Sequence, residues 1–184
     1  NHQRRGTSQW GDAIHNNHKY VIVFTVEMDY DKVYQAPNIE ITEETALKYL
    51  EAQKISIALA SFIRELGYSA RAHISGSNYQ IILPAVAFDA GLGELSRMNY
   101  LISKKHGPRV RLGAVTTDLE FTTDDKVNLG VQDFCEKCKK CAVNCPSNAI
   151  TYGSKTEING VEKWELDVEK CYKFWRYIGT DCGL

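Results

Sequence analysis

Six cysteines constrain this 184-residue chain more than any other feature, and none of them precedes position 135. Four stand in the run Cys135-Glu-Lys-Cys138-Lys-Lys-Cys141-Ala-Val-Asn-Cys145-Pro146, whose spacing is C-x2-C-x2-C-x3-C-P. This spacing is typical of cubane iron–sulfur sites, because two-residue gaps let a tight loop aim three thiolates at one cluster. A zinc site would prefer two separated C-x2-C pairs, and a disulfide framework would not crowd four cysteines into so short a run. The motif therefore predicts iron–sulfur binding.

The last two cysteines suggest a second, stretched motif. In a two-cluster ferredoxin module the cysteine before proline serves the other motif's cluster. Ten residues separate the last two cysteines, where an ordinary motif has two. Two [4Fe-4S] clusters would divide the six cysteines into a first set, Cys135, Cys138 and Cys141, and a second set, Cys145, Cys171 and Cys182. Each set lacks a fourth ligand, and for Cys171 burial beside the aromatic residues at 172–175 stays open as the alternative.

Upstream of the cysteines, the pattern is that of an α/β fold. Residues 20–26 are β-branched and aromatic and predict a buried strand, and apolar residues at three- and four-residue steps predict a helix over 43–66. Further strands are predicted at 69–74 and 111–117, with a short extended piece at 80–83 that ends at Pro84. Alternating strands and helices favour a layered α/β domain. The predicted organisation is a polar lead-in (1–18), a partial α/β domain (19–120), a linker (121–133) and a truncated ferredoxin-type domain (134–184).

Composition excludes two classes of protein. With 22 Lys and Arg against 23 Asp and Glu, the net charge of −1 lacks the basic footprint of a nucleic-acid binder, so no nucleic-acid partner is expected. No apolar run reaches the length that spans a bilayer. Because the chain begins without methionine and stops two residues after Cys182, we expect an internal fragment that is inactive alone.

Four segments resemble, in this order, the catalytic core of the corrinoid-dependent reductive dehalogenases. They are 62–68 (FIRELGY), 89–97 (DAGLGELSR), 107–111 (GPRVR) and 117–119 (TDL), and the ending at 171–183 resembles that family's stretched second cluster motif. The resemblance covers about residues 19–184. The epoxyqueuosine reductases are similar in layout and stay open as an alternative, together with a simple iron–sulfur electron-transfer protein. Their tRNA substrate would favour a basic surface, which this balanced charge does not provide, and their acid is an aspartate instead of a tyrosine.

The resemblance implies a nitroreductase-like corrinoid domain joined to a two-cluster ferredoxin domain. Electrons would pass through the clusters to cobalamin, whose reduced cobalt attacks or abstracts the halogen of an organohalide. Much of the corrinoid-binding segment and the remaining cluster ligands are expected after residue 184. Such proteins are exported by a twin-arginine signal, which would be missing here, and are held at the outer face of the cytoplasmic membrane by a small membrane-anchor protein. The resemblance does not identify the electron donor.

The resemblance also assigns catalytic roles. The family's proton donor is a tyrosine thirteen residues before the aromatic residue that opens the FIRELGY segment, and this count leads to Tyr49. A phenol needs a nearby cation to stabilise the phenolate that it leaves behind, and Arg111 resembles that partner. Asn78 resembles an asparagine near the substrate. From the residues alone, Tyr49 would be a half-buried helix aromatic and Arg111 a surface residue at the start of a strand.

The DAGLGELSR segment adds two further expectations. Gly91 and Gly93 allow close backbone approach, either to the corrin, as the resemblance implies, or to a packed neighbour. Glu94 and Arg97 lie three positions apart and are predicted to pair across a helical turn.

Overall fold

The computed structural model describes residues 17–74, 79–158 and 160–183. It contains a mixed set of strands and helices. The strands are β1 Tyr20–Glu27, β2 Ala70–His73, β3 Gly93–Leu95, β4 Leu101–Ser103, β5 Val110–Thr117, β6 Thr156–Ile158 and β7 Val161–Lys163. The helices are α1 Tyr30–Tyr34, α2 Ile39–Glu65, α3 Leu83–Asp89, α4 Val131–Cys138, α5 Lys140–Asn144 and α6 Val168–Ile178.

A three-stranded antiparallel sheet of order β1-β5-β2 organises the first part of the chain. The middle strand β5 pairs along its whole length with β1, so that Val23 lies opposite Ala114. Strand β2 pairs with the other edge of β5, from Ala70 opposite Thr117 to His73 opposite Ala114. Ala114 and Val115 are fully buried, because β5 is covered on both edges and packs against helices.

The long helix α2 covers one face of this sheet with small side chains. Ala60 and Ile63 pack against Val115, and the buried stripe continues through Ala52 and Ser56. The larger apolar residues whose periodicity predicted the helix, including Leu47, Leu50 and Phe62, are about half exposed. The predicted end near residue 66 is confirmed, whereas the helix starts at 39 rather than 43.

Of two local expectations, one is confirmed in part and one is wrong. The piece at 80–83 is extended at Ile82 (φ −94°, ψ 95°), as predicted, but α3 already begins at Leu83, and Pro84 lies in its first turn, where its missing N–H costs no hydrogen bond. Glu94 and Arg97 do not pair across a helical turn, since Glu94 lies in β3, which pairs with β4. The Glu94 carboxylate instead accepts hydrogen bonds from the N–H groups of Leu129 and Val131, where α4 begins.

The cysteine-rich part is built on short helices around a small core. Helices α4 and α5 are separated by Lys139, whose φ of 52° turns the chain sharply. Helix α6 is capped by Asp167, whose carboxylate accepts from the Lys170 N–H at 3.0 Å, and it ends at Gly179. The core of this part is formed by Ala142, Cys145, Ala149 and Ile150. The proposed domain boundaries stay predictions.

Within the described residues, no helix combines the length and the apolar character that crossing a bilayer requires.

Candidate functional site

The first cysteine set lies at the junction of α4 and α5. Cys135 and Cys138 are three positions apart on α4, so they share one helix face, and the turn at Lys139 brings Cys141 round on α5. All three are half-buried free thiols. Burial raises the pKa of Cys141, and the nearby Cys135 adds to that rise. The three cysteines therefore lie on two short helices joined by one turn, and their grouping around a cluster stays a prediction.

The second set converges from three separate segments. Cys145, Cys171 and Cys182 line one narrow cavity, together with Phe174 and Trp175. Burial raises the pKa of Cys171, and the neighbouring Cys182 and Cys145 raise it further. Cys171 is thus both packed beside aromatic rings and grouped with the other two cysteines. Its role as a ligand stays a prediction.

Hydrogen bonds at the Cys145 sulfur favour its ionised form. Burial opposes ionisation of this thiol, but the Ser147 hydroxyl, 3.4 Å from the sulfur, and the Ala149 N–H, at 3.3 Å, outweigh it. The net effect is a lowered pKa for Cys145. A thiolate is the form that ligates iron, so this environment suits an iron–sulfur ligand.

The structure describes the six cysteines as free thiols. Among the described residues, no three His, Cys, Asp or Glu side chains, the cysteines included, are grouped closely enough to hold a single metal ion. Thiolates are the donors that iron–sulfur clusters use, and the two sets of three cysteines stay a prediction from the sequence motif.

Tyr49 on α2 and Arg111 on β5 lie together. The Arg111 guanidinium carbon is 5.1 Å from the centre of the Tyr49 ring, and Arg111 Nη2 donates a hydrogen bond to Thr45 Oγ1 at 2.9 Å. Thr45 lies one helical turn before Tyr49, so one face of α2 holds both the phenol and the group that positions the guanidinium. A cation at this distance would stabilise a phenolate. The catalytic role of the pair stays a prediction.

A mainly apolar cavity opens beside this pair. It measures about 450 Å³ and is lined by Tyr49, Arg111, Tyr100 and the segment 79–84, among others. Tyr49, Arg111 and Tyr100 also line a neighbouring cavity that includes Cys182. The second cysteine set therefore adjoins the Tyr49–Arg111 pair through shared walls.

Tyr100 is the residue common to all three cavities, and the sequence contains no signal that marks it. Burial, assisted by the Cys171 thiol, raises the pKa of Tyr100 to about 12, although 39% of the residue's surface is exposed. It therefore stays a neutral phenol at physiological pH. Thr45 was also missed, but its spacing of four residues from Tyr49 could have identified it as a neighbour on the helix.

The two glycines among the predicted site residues lie close to backbone atoms of other segments. A side chain at Gly91 would collide with the backbone oxygen of Asp125, and one at Gly93 would collide with that of Ile102. Both glycines thus make the close approach to a packed neighbour that the sequence left open, and binding of a corrin by them stays a prediction. Asn78 lies outside the described residues.

Comparisons with known proteins bear on both halves of the chain. The family described as a 4Fe-4S dicluster domain matches residues 134–184. A tetrachloroethene reductive dehalogenase of Desulfitobacterium hafniense is 37% identical over 176 residues, which is 90% of this chain and 31% of that protein. Over this length the chain is a homologue of the reductive dehalogenases. It spans about a third of the length of the curated dehalogenases that it matches.

Solved structures of reductive dehalogenases share this fold. A catabolic reductive dehalogenase in complex with 3-bromo-4-hydroxybenzoic acid superimposes with a TM-score of 0.87 at 35% identity, covering 98% of this chain and 27% of that one. A second structure, described as suggesting a mechanism for B12-dependent dehalogenation, gives a TM-score of 0.84 at 35% identity, covering 94% and 25% of the two chains.

The epoxyqueuosine alternative is weaker. The epoxyqueuosine reductase of Lactococcus garvieae is 36% identical over only 66 residues, which is 36% of this chain and 18% of that protein. The dehalogenase similarity extends over 90% of the chain.

Proposed function

We propose that this chain belongs to a reductive dehalogenase that removes halogen from an organohalide, using cobalamin reduced through two [4Fe-4S] clusters. The observation that carries the proposal is the Tyr49–Arg111 pair, placed in an apolar cavity whose walls continue to Cys182. One compact region thereby combines a proton source, a cation and a group of iron–sulfur ligands. On this proposal the whole protein is an oxidoreductase with a nitroreductase-like corrinoid domain.

The two cysteine sets would hold one cluster each. The first set, at the α4–α5 junction, supplies three thiolates, and the second set supplies three from around its cavity. Each cubane takes four ligands, so each cluster needs one more. Because Cys182 of the second set lines a cavity together with Tyr49 and Arg111, the second cluster would pass electrons to the reacting centre.

The reaction consumes two electrons and one proton. The carbon–halogen bond breaks, the halogen leaves as halide, and a carbon–hydrogen bond forms in its place. Tyr49 would donate the proton from its hydroxyl, and the Arg111 guanidinium over the ring would stabilise the phenolate until solvent returns a proton. Cobalamin, when bound, would supply the reducing metal centre for breaking the carbon–halogen bond.

The described residues offer cobalamin a partial site. The groove beside Tyr49 and Arg111 has an apolar wall formed by residues such as Ile82, Leu83 and Pro84, which suits the edge of a large macrocycle or a small organohalide. The polar contacts that such a cofactor also needs are few here. Residues 79–84 and the Tyr49–Arg111 pair would therefore contribute one side of the binding site.

Location is part of the same proposal. By the family resemblance, the protein would be exported by a twin-arginine signal and held at the outer face of the cytoplasmic membrane by a small membrane-anchor protein. Separating the cell envelope from the cytoplasm, with antibody detection of the protein, tests this part. A wholly cytoplasmic protein in its native host would contradict it.

The activity is tested on the complete gene product, loaded anaerobically with iron, sulfide and a corrinoid. About eight irons per molecule and a corrinoid spectrum would establish loading. The loaded enzyme, supplied with a low-potential chemical reductant, is expected to release halide from at least one member of a panel of chlorinated and brominated alkenes and phenols. A fully loaded enzyme that releases no halide from any of them would overturn the proposal.

A further inference from the structure

Arg97 is a completely buried cation beside the first cysteine set. The residue has 0% exposed surface and lies two positions after β3. Its Nε donates to the backbone oxygen of Cys135 at 3.2 Å, and its Nη1 donates to the backbone oxygens of Thr151 and Gly153 at 2.9 Å each. The guanidinium thus ties the cysteine loop to the segment after α5.

Protein groups neutralise this charge only in part. Among the described residues no carboxylate forms a salt bridge with Arg97, and the nearby Glu94 is engaged by backbone N–H groups of the α4 start instead. The guanidinium carbon lies 4.7 Å from the ring centre of Trp164, which is also fully buried. Arginine is almost never fully buried without a charged partner, because desolvation of the cation is costly.

One nitrogen of the Arg97 guanidinium is left without an acceptor. The Nη2 atom is buried and has no hydrogen-bond partner among the described residues. Such an orphan donor on a buried cation indicates an acceptor, preferably an anion, that belongs in this place. A cubane with thiolate ligands is an anion with sulfur acceptors, and the first set of thiols is the adjacent group in the structure.

We propose that Arg97 is the counter-charge of the cluster held by the first set and that it raises the reduction potential of that cluster. Reduction adds a negative charge to a centre that is already negative, so a fixed cation in a water-excluded site stabilises the reduced form more than the oxidised form. The inference rests on the proposed function, because it requires a cluster at the first set. Arg97 would act as a positioning and tuning residue that holds the loop through Cys135 and sets the potential through its charge.

The test compares cluster potentials in the complete, anaerobically loaded protein. Arg97→Gln removes the charge and keeps an amide donor. In redox titrations followed by electron paramagnetic resonance, we expect a lower midpoint potential for the first cluster and an unchanged midpoint for the second cluster. The Cys138→Ser variant, which should lack the first cluster, identifies which signal belongs to which set.

A matched control tests whether the shift in midpoint potential requires a buried charge or only a charge close to the cluster. Lys140 directly precedes Cys141, but its side chain is exposed, so water and salt screen its charge. Lys140→Gln is therefore expected to leave both midpoints unchanged. Arg97→Lys keeps the charge and should retain a first-cluster midpoint near that of the wild type.

An unchanged first-cluster midpoint in Arg97→Gln would overturn the inference, as would equal shifts of both clusters. If the glutamine variant loads no iron, the lysine variant decides, and a first-cluster midpoint well below the wild-type value overturns the inference. Failure of the wild type to load any cluster would instead count against the proposed function. The two failures are therefore distinguishable by iron content.

Discussion

Each cysteine set supplies three thiols, but the two sets are built differently. The first set is local: three cysteines within seven residues are held by two short helices and backed by a buried cation. The second set draws its cysteines from positions 145 to 182 and adjoins aromatic rings and the Tyr49–Arg111 pair. Under the proposed function, we expect the first cluster to take up electrons and the second cluster to deliver them to the reacting centre.

Cysteine substitutions should produce the largest effect and test whether the sets are separate. Cys138→Ser is expected to remove the first cluster, and Cys171→Ser the second, so each variant should lose about four of about eight irons. Turnover should fall below detection in both, because electron flow needs both clusters. Iron analysis and electron paramagnetic resonance measure this outcome. Loss of the same cluster signal in both variants would contradict the assignment of the sets.

Tyr49→Phe should lower turnover by about 10²- to 10⁴-fold, the usual contribution of a positioned general acid. The substitution removes only the hydroxyl, so iron content and cluster potentials should stay at wild-type values. Steady-state halide release measures the loss. Such a loss, without any change at the clusters, would place the chemical step at Tyr49 beside the second set.

Tyr68→Phe is the matched control for this variant. Tyr68 follows the far end of α2 and is 44% exposed, away from the cavity that Tyr49 lines. The same chemical change there should leave halide release within about twofold of the wild type. Similar losses in the two variants would remove Tyr49 from the mechanism.

Features built from residues that are close in the sequence were easier to predict than features built from distant residues. The first cysteine set lies within one short helix–turn–helix segment, so its spacing alone predicts a shared cluster. The strands β1 and β5 were predictable from their β-branched runs. Helix α3 was not predictable in this way. Pro84 is compatible both with the end of an extended segment and with the first turn of a helix, and the sequence does not distinguish the two.

Long-range contacts account for the rest. The stacking of Arg111 on Tyr49 joins residues 62 positions apart, and only the family resemblance suggested it. No periodicity marks Tyr100 as a shared wall of three cavities. A helical turn would pair Glu94 with Arg97, whereas Glu94 lies in β3 and Arg97 follows that strand, so the two side chains have different partners.

Removing the cation over Tyr49 should have an intermediate effect. Arg111→Met is expected to lower halide release by about 10- to 100-fold, because the phenolate left by proton donation loses its nearby positive charge. Arg111→Lys should lose less, since it keeps the charge without the planar guanidinium. Neither variant should change the midpoint of the first cluster, in contrast to Arg97→Gln. A shift of that midpoint in Arg111→Met would contradict the claim that Arg111 acts beside the second set and Arg97 beside the first.

The smallest effect is expected at Thr45, which holds the guanidinium through its hydroxyl. Thr45→Val keeps the shape of the side chain and removes the acceptor of the 2.9 Å bond from Arg111 Nη2. A neutral acceptor of this kind contributes about 1 kcal/mol, so halide release should fall about fivefold. Thr45→Ser retains the hydroxyl and should restore most of the rate. Equal rates in the valine variant and the wild type would show that Arg111 reaches its place over Tyr49 without this bond, so that β5 alone positions the cation.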